Sequence, residues 1–210
     1  MLFLYITALL ECTQLGIKNN KLIMKILSIC GSPRQGNSET ILIELQKLFK
    51  SKNIDNEIIL LREKNIERCH GCIEFCNHRK VCRLNDDMQE IIDKMVEADA
   101  YVFISPNYFQ MPTGLFKDFI DRSNIIFHRT DADLKNKKII VISVGSDPPE
   151  DSTVCANNIA NNYCRYIGKV VGIKTFQTHS ELGGHLDDAF TSGQNPTIKD
   201  DLQSLTNLMI

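Results

Sequence analysis

The sequence has no strong excess of either charge, no apolar run long enough to span a bilayer, and no familiar nucleotide fingerprint. A formal charge of −2, from 24 Lys and Arg against 26 Asp and Glu, offers no general attraction for nucleic acid or an anionic membrane, so neither is expected as a partner. The most apolar stretch, MLFLYITALL, stops at Glu11, well short of the ~20 apolar residues a spanning helix needs. It also lacks the basic n-region and the small-residue cleavage site of a signal peptide. Because Met24 opens the first strand directly, residues 1–23 read as an N-terminal extension or a misassigned start. Gly31 and Gly36 do not form G-x-G-x-x-G, and no Gly-Lys-Ser/Thr follows them, which excludes a P-loop and makes a nucleoside triphosphate an unsuitable ligand. Internal repeats and low-complexity tracts are absent as well.

What is present is an ordinary globular composition, 43% hydrophobic and 24% charged in 210 residues, which fits one α/β domain over 24–210 with a single core. Its most organised stretch is MKILSICGSPRQGNSET at 24–40. Met24 to Cys30 is a nearly continuous apolar run, the pattern of a parallel strand covered on both faces. It gives way at Gly31 to a polar loop, and then to helical spacing with Ile41, Leu42, Leu45 and Leu48 on one side. A helix opening there directs backbone N–H groups and the positive end of its dipole toward the loop, where an anion is favoured. Ser32, Gly36, Asn37 and Ser38 line that loop and Arg34 adds charge, so a phosphate is the expected occupant. The plain alternative is a strand-exit turn followed by a simple Ser or Asn N-cap.

Further strands are expected at Glu57–Leu61, Tyr101–Ile104, Lys138–Val144 and Val170–Phe176, with helices over Glu39–Lys52, Met88–Val96, Thr113–Phe127, Asp151–Ile167 and Thr197–Met209. Asp86 and Asp87 stand before the second helix and read as its caps. Five strands alternating with helices imply a doubly wound sheet of five parallel strands with helices on both faces. Such sheets bind ligands beyond the carboxyl ends of their strands, where strand order reverses. The loop after strand three, with Pro106, Asn107, Tyr108, Phe109 and Gln110, suits a flat, partly polar ring system, although simple packing of the aromatics is the competing reading. Gly145 and Ser146, after strand four, would close the far side.

Between strand two and the next helix, residues 62–87 form an insertion too polar for core and too rich in cysteine for a linker. Four of the eight cysteines, Cys69, Cys72, Cys76 and Cys82, are spaced C-x2-C-x3-C-x5-C, which puts all four within reach of one small centre. That clustering points to a metal or redox site in a reducing cytoplasm more than to a disulfide framework. Structural zinc usually takes two separated Cys-x-x-Cys knuckles, whereas one compact run is nearer to 4Fe-4S ligation; His70 and His78 keep zinc open, and free redox thiols remain a third reading. Cys30, Cys155 and Cys164 read as small buried thiols.

Two of these stretches carry a resemblance. The G-S-P-R start and G-N-S finish of the first loop are similar to the phosphate loop of flavodoxin-like NADPH-dependent FMN reductases. Ser105-Pro106-Asn107-Tyr108 matches the S-P-x-Y loop of that group, and Lys117, Asp118, Asp121 and Arg122 resemble its K-x-F-I-D-R helix, read here as an ion-paired helix surface. CHGCIEFCNHRKVCRLNDDM resembles the C-x-G-C…C…C…D-D-M signature of iron-sulfur flavoproteins, with one departure: three residues, Ile73, Glu74 and Phe75, separate the second and third cysteines where those proteins have two. The resemblance implies a flavodoxin-like fold, FMN as cofactor, NAD(P)H as co-substrate, no demand for an acid–base residue, and a homodimer or homotetramer. It further implies a 4Fe-4S cluster on the four cysteines and a ferredoxin-type protein as possible partner.

Overall fold

Short apolar runs rich in isoleucine and valine become five parallel strands, β1 (Lys25–Cys30), β2 (Asp55–Leu60), β3 (Ala100–Pro106), β4 (Lys138–Gly145) and β5 (Lys169–Gln177), in the order β2-β1-β3-β4-β5. The structure, a computed structural model, describes residues 23–129, 133–178 and 186–210; apart from Ile23, the expected extension over 1–23 lies outside them. The helices are α1 (Asn37–Ser51), α2 (Ile73–Arg79), α3 (Met88–Glu97), α4 (Gly114–Arg122), α5 (Pro149–Ile159), α6 (Arg165–Ile167), α7 (Asp188–Thr191) and α8 (Ile198–Met209).

Side chains alternate across the sheet and so feed two cores. Ile26 and Cys30 of β1, Val102 and Ile104 of β3, and Ile140 and Ile142 of β4 pack with Ile41, Leu45 and Phe49 of α1 and Leu202, Leu205 and Met209 of α8. Leu27, Ile29, Phe103 and Val141 point the other way, against Met88, Ile91 and Met95 of α3, Phe116 and Phe119 of α4, and Ile159 of α5. Both faces are thus covered, as expected of a doubly wound sheet. The strand order reverses between β1 and β3, so the crevice lies at their carboxyl ends. β3 and β4 pair out to Pro106–Val144, whereas β1 pairs with β3 only as far as Cys30–Ile104, which leaves a step at the top of the sheet.

Three departures from the expected elements have physical causes. The helix expected over Thr113–Phe127 tightens into a 3-10 segment, Ser123–His128, at the point where the Ser123 hydroxyl bonds back to the Ile120 carbonyl (2.8 Å). The helix expected over Asp151–Ile167 contains a π turn, Ala160–Cys164, which seats Tyr163 among Phe103 and Phe119 at centroid distances of 5.8 and 5.9 Å. The insertion holds α2, a helix without a single buried residue and therefore without the apolar periodicity that would announce it.

Candidate functional site

The loop after β1 is fixed from both sides. Gly31 donates its N–H to the Ile104 carbonyl (2.8 Å), and its own carbonyl accepts from Thr113 Oγ1 (2.5 Å), so the loops after β1 and β3 are tied together. A Cβ at Gly31 would come within 2.8 Å of Phe116, which is why no larger residue fits there. Beyond it, Ser32 Oγ donates to the Arg34 carbonyl (2.7 Å) and closes the turn. Gly36 is the N-cap of α1, with no side-chain cap bond. The N-cap alternative for Ser32, Asn37 and Ser38 therefore does not describe this helix start. Asn37 instead reaches across the molecule, its Oδ1 accepting from the Ala189 N–H (2.7 Å) at α7.

Ser32, Arg34, Gly36, Asn37 and Ser38 from this loop line a cavity of about 240 Å³ together with Pro106, Asn107 and Tyr108, Gly145 and Ser146, and Val144 and Thr178. Three loops expected to meet do so. Val144 and Thr178 escaped the sequence reading; Thr178 is brought in by its N–H bond to the Gly145 carbonyl (2.8 Å), just beyond β5. Phe109 and Gln110 stand outside the lining. They form the tip of a tight turn closed by the Tyr108–Met111 bridge, both at positive φ (53° and 63°), and Phe109 is 100% exposed. Left-handed backbone in two successive non-glycine residues is uncommon and gathers at ligand sites.

The far wall is equally tight. Asn107 Nδ2 donates to Asp147 Oδ2 (3.1 Å) and Ser152 Oγ (3.3 Å), and a Cβ at Gly145 would lie 2.6 Å from that Ser152 oxygen. Asn107 Oδ1 is buried without a partner among the described residues, an unpaired acceptor in a lining residue. Among the described residues, the cavity therefore offers a helix N-terminus whose N-cap glycine makes no side-chain cap bond and a guanidinium on one side, and an unpaired amide oxygen on the other, a combination that fits a phosphate joined to a polar ring system.

The four loop cysteines line a second cavity, of about 760 Å³, between the insertion and the face made by α4, the 3-10 segment and the π turn. Burial and the adjacent Cys72, Cys82 and Cys69 push the Cys76 thiol up, which marks the four as near neighbours. Among the described residues no group of three or more His, Cys, Asp or Glu side chains is arranged to hold a metal ion. The donor chemistry, four thiols in one short loop, fits a soft cation or cluster.

Two sequence readings next to this loop need correction. Asp87, at the N-cap of α3, makes no side-chain cap bond and its Oδ2 accepts instead from the Asn65 N–H (2.7 Å), whereas Asp86 Oδ1 does accept from the Met88 N–H at the helix start (3.1 Å), as expected of a cap. Arg122 is not part of an ion-paired surface; its side chain and that of Asp86 are 1% and 0% exposed and form a buried pair. Lys117 and Asp121 do form the expected surface pair, at 2.6 Å. Burial pushes Asp86 up, but the bonds from Arg122, Glu67 and Met88 outweigh it and hold the carboxyl below the usual range.

Comparison with known proteins bears on both cavities. Residues 24–155 match the family described as NADPH-dependent FMN reductase. An iron-sulfur flavoprotein of Methanocaldococcus jannaschii is 32% identical over 150 residues, covering 71% of this chain and 76% of its own length. One from Archaeoglobus fulgidus is 30% identical over 180 residues, covering 80% and 81%. The solved structure of RosB with bound 8-demethyl-8-formylriboflavin-5′-phosphate shares the fold, with a TM-score of 0.69 at 17% identity over 89% of this chain and 79% of that one. With a family match spanning both the phosphate-type loop and the cysteine insertion, this chain belongs to the NADPH-dependent FMN reductase and iron-sulfur flavoprotein family, and so to the NAD(P)H-dependent flavin oxidoreductases.

Proposed function

We propose that the chain holds FMN in the cavity above β1, β3 and β4, draws electrons from NAD(P)H, and passes them to a flavin, quinone or protein acceptor through a 4Fe-4S cluster on Cys69, Cys72, Cys76 and Cys82. The observation that carries the first part is that the start of α1, with a glycine at its N-cap, and the Asn107 oxygen, unpaired among the described residues, line one cavity. Ser32, Arg34, Gly36, Asn37 and Ser38 would hold the phosphate, the helix dipole and the Arg34 charge favouring it. Pro106, Asn107 and Tyr108 would border the ring, with Phe109 and Gln110 at the exposed tip beside it, and Gly145 and Ser146 would close the far side. When bound, FMN supplies the capacity to accept a hydride and release electrons. The chain's own task is placement: Thr113 and Gly31 lock the two loops, and Asn107, itself held by Asp147 and Ser152, offers a fixed acceptor to a ring N–H. No acid–base residue is required of it. A cytoplasmic homodimer or homotetramer belongs to the same reading.

The test is to purify the protein, release its chromophore by heating, and add NADPH or NADH under argon. FMN and not FAD is expected, and the flavin bands should bleach without any further protein. Release of FAD would contradict a loop built for one terminal phosphate. A second reading, an electron carrier serving a ferredoxin-type partner, is favoured by the four clustered thiols; a flavin that stays oxidised with either nicotinamide until such a partner is added would select it.

A further inference from the structure

The two family-like stretches that had seemed separate, the Asp-Asp-Met run and the helix ending in Asp-Arg, meet in one buried knot. Arg122 Nη1 and Nη2 donate to Asp86 Oδ2 and Oδ1 at 2.6 and 2.8 Å, a bidentate pair. Nη1 also donates to the Glu67 carbonyl (2.6 Å), and the Glu67 N–H donates to Asp86 Oδ2 (2.9 Å). The Met88 N–H completes the carboxylate at 3.1 Å. Glu67 lies two residues before Cys69 and Asp86 four after Cys82, so one guanidinium closes the neck of the whole cysteine loop.

The loop needs such a closure. Between Arg68 and Asn85 no residue is buried, so no core of its own fixes its shape. A buried ion pair is also a poor way to add stability, because desolvation offsets most of the attraction, whereas it is a good way to fix geometry. The remaining guanidinium nitrogen, Nε, is buried without a hydrogen-bond partner among the described residues, and Cys82 lies within the field of the cation. Arg122 and all four cysteines line the same cavity.

We propose that Arg122 is the positioning residue of the cysteine loop: with Asp86 it clamps the neck that sets the four thiols in place, and it keeps a buried positive charge beside Cys82 and whatever the thiols hold. This rests on reading the loop as a redox or metal site, but not on which group occupies it.

The test compares Arg122→Gln, Arg122→Lys and, as a surface control on the same helix, Lys117→Gln. Hydrogen exchange is followed in residues 68–85 and in β3 and β4. Arg122→Gln should speed exchange of the loop by about tenfold or more, the loss expected for charge-assisted bonds, with the strands and the bound FMN unchanged and the control like wild type. Should Arg122→Gln fail to fold, the double variant Asp86→Asn with Arg122→Gln, which leaves no unpaired buried charge, carries the same expectation. The charge is read separately in anaerobically purified protein. If iron is present, its midpoint potential should fall in Arg122→Gln and be restored by Arg122→Lys. If the thiols are free, their rate with a dianionic disulfide reagent relative to a neutral one should fall several-fold in Gln and recover in Lys. Loop exchange unchanged in Arg122→Gln, exchange rising equally in the strands, or identical charge readouts for Gln and Lys would each overturn the proposal. Iron-free protein would defeat only the cluster reading of the loop.

Discussion

Cys30, Cys155 and Cys164 are each 0% exposed, and the apolar surroundings act on them in one direction. Burial pushes Cys30 up to about 11 and Cys155 up to about 12, and raises Cys164 further still. Because these native values lie above those of an unfolded thiol, stability is fully present below about pH 9 and is lost as pH rises through the native values, where only the unfolded chain ionises readily. Thermal denaturation should therefore show Tm falling above about pH 9, less steeply in Cys155→Ala than in wild type; parallel curves would show that this thiol does not govern the slope. At pH 8, Cys30, Cys155 and Cys164 should not react with iodoacetamide before unfolding. Arg34 makes the opposite case. It is exposed, and its Nη1 reaches no closer than 3.5 Å to the Gln35 carbonyl, so a phosphate contact from it is solvent-screened. Arg34→Ala should weaken FMN binding by about 1 kcal/mol, about fivefold, in a titration of apoprotein. Affinity equal to wild type would take Arg34 out of the phosphate site.

At the level of elements, the cysteine insertion separates what a sequence announces from what it conceals. The unit β1–loop–α1 was legible because its signals are contiguous: an apolar run, glycines at the turn, then helical spacing. The insertion was legible only as a cysteine pattern. Helix α2 buries nothing, and the neck closure joins Asp86 to Arg122 across 36 residues, a pairing no local pattern encodes. The cap role of Asp86 was legible because it is local, and it does accept from the Met88 N–H; its pairing with Arg122 was hidden behind that local explanation. Thr178 enters the first cavity through strand order rather than any motif. The occupancy of the loop is the matter most worth measuring, for four adjacent thiols in the ionised state repel one another unless a cation or cluster neutralises them. Protein purified without oxygen should carry about four irons per chain and absorb broadly near 400 nm beyond its flavin bands, and Cys72→Ser should lose both while keeping FMN. The three residues between Cys72 and Cys76 alter the bite of the loop; one tightly held zinc would replace the cluster with a structural site, and four titratable thiols would leave the loop without a metal.

Across the whole molecule, charge is distributed unevenly. The formal total is −2, yet residues 68–85 contain Arg68, Arg79, Lys80 and Arg83 against the single Glu74. All four cations are exposed and flank the cysteines in sequence, while the 3.8 Å approach of Arg68 to Asp118 is too solvated to hold it down. Exposed apolar groups lie among them: Ile73 and Val81 project outward, and Arg83 stacks 5.8 Å from the centroid of the Phe75 ring. If the loop carries the proposed cluster, these exposed cations and apolar groups would suit an acidic redox protein, because complementary charge raises the encounter rate and does little for the lifetime of the complex. If a ferredoxin-type partner docks there, its rate of electron exchange should drop about tenfold or more between low salt and roughly 0.5 M, where the Debye length is only a few Å. Reversing two charges, Arg79→Glu with Lys80→Glu, should lower the low-salt rate and flatten its salt dependence, while bleaching of the flavin by NAD(P)H, which the proposed function assigns to the other cavity, should stay as it was. A rate that ignores both salt and the reversal would place the docking surface elsewhere. A variant that also lost bleaching would show that reduction of the flavin by NAD(P)H itself depends on an intact loop.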